Sequence, residues 1–195
     1  MNGKIVAVMA VAGAVAYFAI TIAFLPQMFL PVLSPPRPAP AVTDISVSEE
    51  AVALGKSFVI EVAATNEGDH ADRQIVSIAF PNATRAEVAE VLGHNFRQSP
   101  LVVQMGQQIG AGYAGPQRLV QAQYPIIEAY SSPWEGGESS SISLSVTPEQ
   151  EGRFVVFVKA VGLPHNGDQA HWPSSGTLDQ QDEYASVVEV DVTKA

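Results

Sequence analysis

His165 and His171 stand six residues apart with Asp168 between them, in the stretch Pro164-His165-Asn166-Gly167-Asp168-Gln169-Ala170-His171-Trp172-Pro173. Two imidazoles and a carboxylate on a folded-back loop could converge on a divalent metal. The same residues suit a solvated loop, turned at Asn166-Gly167 and held down by Trp172, and their spacing matches no established metal motif. Asp179, Asp182 and Glu183 form a second polar cluster whose carboxylates could take calcium. That run lacks the alternating ligand order and the glycine of a calcium loop, so it reads as a solvated acidic turn.

Covalent catalysis finds little support. Ser139-Ser140-Ser141 lies beside a strand pattern and outside any G-x-S-x-G elbow. Gly110-Ala111-Gly112-Tyr113-Ala114-Gly115 has the glycines of a phosphate loop without the strand–helix setting that would aim them. No catalytic residue is assigned, and the chain is expected not to be an enzyme. Tyr113, Tyr124, Tyr130, Trp134 and Trp172 are candidates for a binding surface, with core packing as the competing role. Asn82-Ala83-Thr84 is a glycosylation sequon, placed where a helix could also begin.

The chain contains no cysteine. That excludes disulfides, thiolate zinc sites, thiol nucleophiles, iron–sulfur clusters and copper sites that need a Cys ligand. All twenty acidic residues and nine of the ten basic ones lie from Arg37 onward, leaving eleven net negative charges there. Such a surface repels phosphate backbones, so nucleic acid is not expected as a partner.

What must position these residues begins with an uncharged run over 5–25, IVAVMAVAGAVAYFAITIAFL, which is long enough to cross a bilayer as a helix. Residues 1–33 are expected to form a transmembrane helix with an interfacial tail, since Pro26 and Pro31 would break the helix. A cleaved signal peptide is the alternative, with Ala39-Pro40-Ala41 as its site. The apolar run exceeds a signal core, which favours a retained anchor. Lys4 on one side favours a cytoplasmic N-terminus and an extracytoplasmic C-terminal domain. Residues 34–42 hold four prolines and read as an extended stalk at about 3.1 Å per residue.

From residue 43 the pattern changes to short alternating runs between turn residues. Phe58, Ile60 and Val62 share one face, as do Val76, Ile78 and Phe80, and Ile142, Leu144 and Val146. Later come Phe154-Val155-Val156-Phe157-Val158 and Val188-Glu189-Val190-Asp191-Val192. Half-buried strands enriched in Val, Ile and Phe predict an all-β sandwich over 43–195. Insertions are expected at about 81–133 and 162–182. In the first, Thr84-Arg85-Ala86-Glu87 reads as a capping box opening a short helix over 85–92, closed by Gly93.

LGKSFVIEVAATNEGDHADRQIVSIAF resembles the B–C hairpin of an immunoglobulin-like surface module of the CARDB type, in which a strand ending in T-N-x-G leads into the next. WEGGESSSISLSVTPEQEGRFVVFVKA is similar to its E–F pair, and both patterns are shared with fibronectin-like sandwiches. The resemblance implies an immunoglobulin-like β-sandwich and carries no catalytic residues. The function expected is that of a membrane-anchored module that binds a protein partner or braces a membrane or envelope assembly. The alternative is a His-ligated metal-binding accessory subunit of a membrane enzyme complex.

Overall fold

A computed structural model describes residues 17, 18, 20, 21, 36–109, 120–164, 170–179 and 183–195. The chain divides into two units, Met1–Pro36 and Arg37–Ala195. The first unit falls almost wholly outside the described residues, as do the expected span and its interfacial tail. Tyr17, Phe18, Ile20 and Thr21 are helical, and the Thr21 hydroxyl donates to the Tyr17 carbonyl at 2.7 Å. Among the described residues no helix is long and apolar enough to cross a membrane.

The second unit is an immunoglobulin-like β-sandwich. Its strands are β1 (Pro40–Val47), β2 (Ala51–Ala53), β3 (Phe58–Asn66), β4 (Arg73–Ala79), β5 (Ala89–His94), β6 (Leu101–Val103) and β7 (Gln108–Ile109). After these come β8 (Val120–Gln121), β9 (Ile126–Ser131), β10 (Ser139–Val146), β11 (Gly152–Leu163), β12 (Thr177–Leu178) and β13 (Tyr184–Thr193). One sheet runs β1-β3-β10-β5; the facing sheet runs β12-β13-β11-β4-β9-β6, with β2 joined in parallel to β13. The small β7–β8 pair lies apart from both.

Alternation fixes which residues meet between the sheets. Phe58, Ile60, Val62, Ile142, Leu144 and Val146 from one sheet close on Val76, Ile78, Phe154, Val156 and Val158 from the other, all buried. Phe58 and Phe154 meet edge to face at 6.1 Å between ring centres, and Phe80 tilts against Phe154 at 6.4 Å. Toward one end the facing residues become polar. The buried Gln74 on β4 accepts the Ser140 hydroxyl of β10 at 2.8 Å, tying the two sheets together.

Three local expectations change. β3 and β4 belong to different sheets, so the stretch likened to a B–C hairpin is an arch across the sandwich. The helix expected over 85–92 is a single 3-10 turn, Ala86–Val88, that runs straight into β5. Its N-cap side chain makes no capping bond. Val88, Ala89 and Val91 instead pack on the core, and Ala89 and Val91 pair with Val146 and Leu144 of β10. Tertiary strand pairing outweighs local helix propensity. Finally, Pro40–Val42, counted from its prolines as stalk, is the start of β1. An edge strand tolerates proline because one of its sides needs no ladder donor.

Candidate functional site

The end of the sandwich where Arg37 enters it is built from three segments: residues 37–39, the β3–β4 loop at 67–72, and the β9–β10 loop at 132–138. Asn66, the last residue of β3 and fully buried, joins them. Its Oδ1 accepts from the backbone N–H of Ala39 at 3.0 Å and of Gly68 at 3.1 Å. Its Nδ2 donates to the carbonyls of Asp69 at 2.5 Å and Trp134 at 3.3 Å. One amide thus uses two acceptor and two donor positions, its full capacity. Backbone bonds reinforce it: Ala71 and Trp134 exchange a pair at 2.9 and 2.8 Å, and Glu67 and Asp69 donate to Ala39 and Arg37.

On this frame opens a shallow cleft of about 440 Å³, lined by His70, Asp72, Arg73, Ser132, Pro133 and Leu163. The His70 ring lies between two carboxylates. Nδ1 is 3.1 Å from Glu135 Oε2, and Nε2 is 3.1 Å from Asp72 Oδ1. These bonds, first that with Glu135 and then that with Asp72, raise the His70 pKa above its ordinary value. The carboxylates sit on opposite edges of the ring, so the three groups form a chain instead of converging on a point where a metal could bind. Among the described residues no group of His, Asp and Glu is arranged to hold a metal ion.

His165 and Asp168 lie outside the described residues. His171 is half-buried, and its backbone exchanges bonds with Gly162 at 2.8 and 3.0 Å, which fixes the returning loop to the end of β11. The acidic run further on has a structural role. Asp179 and Glu183 both bind the Lys159 ammonium, Glu183 at 2.6 Å, with the lysine only 13% exposed. A lysine so enclosed occupies these carboxylates and pins the loop to the outer face of β11. Asp182 is outside the described residues.

The aromatic candidates separate. Trp134 is fully buried, with Nε1 donating to the Glu138 carbonyl at 2.8 Å, so it presents no binding surface; the indole fills the space under the loop it sits on. Tyr130 is half-buried and its hydroxyl donates to the buried Glu128; burial, then that bond, pushes its pKa up. Tyr124 packs edge to face on Phe157 at 6.4 Å, and burial followed by the nearby Asp179 raises its pKa. Trp172 is half-buried, and Tyr113 lies outside the described residues. Asn82 is exposed, with Oδ1 accepting the Val155 N–H at 2.9 Å. That bond links the β4–β5 connection to β11 and does not engage the amide nitrogen that a glycan would use.

Sequence reasoning missed His70, Glu135 and Asn66 as a group. His70 and Glu135 are 65 residues apart, and no local motif joins them. The only signal was the T-N-x-G pattern at Thr65–Gly68, which marks Asn66 without showing what it bonds.

No protein-family model matches the chain, and no curated protein does. Among solved structures the chain is similar to a cohesin module of a family 33 glycoside hydrolase from Clostridium perfringens, at 16% identity and a TM-score of 0.42, covering 81% of this chain and 98% of that one. It is also similar to the CARDB domain of a Pyrococcus furiosus protein, solved in complex with di-metal ions. That match has 12% identity and a TM-score of 0.40, covering 82% and 96% of the two chains. A Nocardia farcinica protein with an immunoglobulin-like fold matches at 12% identity and a TM-score of 0.40, over 75% and 97%. The immunoglobulin-like assignment of this chain rests on its own strand order.

Proposed function

We propose that the chain is a membrane-anchored, extracytoplasmic immunoglobulin-like module that works by binding a protein partner, or bracing a membrane or envelope assembly, and carries out no catalysis. The observation that carries the binding reading is the loop end of the sandwich. There an exposed cleft with an imidazole, a guanidinium and a carboxylate stands on loops that Asn66 holds in one geometry. Rigid loops on a scaffold lose little freedom on binding, which is why sandwiches recognise partners at such an end. The anchor is supported by the uncharged 21-residue run over 5–25 and by the absence of acids before Asp44.

A photo-crosslinking residue placed at Arg73, exposed at the cleft, is expected to give a discrete adduct with one protein in native membranes. The same residue placed at Lys56, in the exposed turn at the opposite end of β3, is expected to give none. Equal labelling from both positions, or none from either, contradicts recognition through the loop end.

A further inference from the structure

The bonds around His70 favour its doubly protonated ring. A neutral imidazole has one N–H and one lone pair, so it can donate to one carboxylate only and must turn its lone pair toward the other. In this structure each ring nitrogen lies 3.1 Å from a different carboxylate oxygen, Glu135 Oε2 and Asp72 Oδ1. Only the doubly protonated ring donates to both. Asp72 shares the β3–β4 loop with His70, whereas Glu135 belongs to the β9–β10 loop, so the Nδ1 bond crosses between loops.

We propose that His70 is held as an imidazolium and acts as a pH-dependent clasp that closes the β3–β4 loop onto the β9–β10 loop beside the cleft. The other charged groups at this end are already engaged or lie apart from the ring. Asp69 accepts the Arg37 backbone N–H, and Glu138 binds the Arg97 guanidinium and the Glu135 N–H. Arg73 lines the cleft, and His171 follows on the segment after β11, bonded through its backbone to Gly162. Only Glu135 and Asp72 raise the His70 pKa. A group whose folded pKa is raised adds stability that is fully present below its ordinary value of about 6.5 and is lost as pH rises through the raised value. The clasp is therefore closed in mild acid and opens toward alkaline pH. Because all three side chains are more than a third exposed, salt weakens it.

The test is an NMR titration of the His70 ring in the full chain in nanodiscs from pH 4.5 to 9. Exchange protection of the Ala71 and Trp134 amides, which bond the two loops to each other, is measured alongside and corrected for intrinsic rates. The expected midpoint lies above that of a free imidazole. It moves down in Glu135→Gln and reaches the free value in Glu135→Gln/Asp72→Asn. Protection at Ala71 and Trp134 falls through the wild-type midpoint, and this step is missing in His70→Gln. A midpoint at or below the free value, a midpoint unmoved in the double variant, or protection that stays flat through the titration each overturns the clasp. These readouts need no partner, so they stand or fall apart from the binding reading.

Discussion

Asn66→Ala is expected to lower the unfolding free energy by about 4 kcal/mol, on the scale of 1–3 kcal/mol for each polar group left without its partner. The truncation strands the N–H groups of Ala39 and Gly68 and the carbonyls of Asp69 and Trp134, which belong to three separate segments. Water can reach some of these groups once the loops part, which keeps the loss below the full sum. A domain of this size is held by roughly 5–15 kcal/mol, so the variant should unfold far more readily in urea, followed by tryptophan fluorescence. Asn66→Asp keeps the two accepted bonds but loses both donors and brings a charge beside Glu67 and Asp69, so it should lie between wild type and Asn66→Ala. A loss under about 1 kcal/mol for Asn66→Ala would mean that the loop end is held by its backbone bonds alone.

The second large effect is expected at Gly68. A Cβ built there would lie 2.6 Å from the Ala39 nitrogen and nearer still to the Arg37 carbonyl oxygen, and both are backbone atoms that cannot swing aside. Gly68→Ala should therefore push residues 37–39 off the loop, at a cost of about 3 kcal/mol, the upper part of the overpacking range. The bonds from Asp69 to Arg37 and from Glu67 to Ala39 would break with it, so hydrogen exchange at the Asp69 and Glu67 amides should rise more than elsewhere in the sandwich. Gly93→Ala is the control: a Cβ on β5 at that position meets nothing within 4 Å, and the change should stay within about 0.5 kcal/mol. Equal costs at the two glycines would contradict the close approach at Gly68.

Much of the sandwich could be read along the chain because its strands alternate cleanly. Phe58, Ile60 and Val62 face the core together, as do Phe154, Val156 and Val158, and period-two burial leaves one choice of face. Residues 85–92 were ambiguous for a physical reason. Thr84 and Glu87 carry the spacing of a capping box, while Val88, Ala89 and Val91 also suit an edge strand, and only the presence of β10 decides between them. Trp134 illustrates a different limit. It is buried on a loop bonded to Asn66 and Ala71 of another segment, and nothing near it in sequence reports that. The clasp at His70 is further removed still, since its closing carboxylate, Glu135, comes from a loop 65 residues later. By contrast, the prolines at 34–42 were informative but incomplete: they predict extension, and an extended segment can be a free spacer or, from Pro40 onward, a paired edge strand.

In the proposed function, residues 5–25 hold this sandwich on the outer side of a membrane. The most direct test is protease treatment of intact cells or right-side-out vesicles carrying the full chain, followed by alkaline carbonate extraction of what remains. The expected result is that the 37–195 unit is digested from outside while a fragment of about the first 35 residues stays in the carbonate-resistant membrane. A chain released whole by carbonate, or a sandwich that external protease reaches only after the membrane is broken, would contradict it.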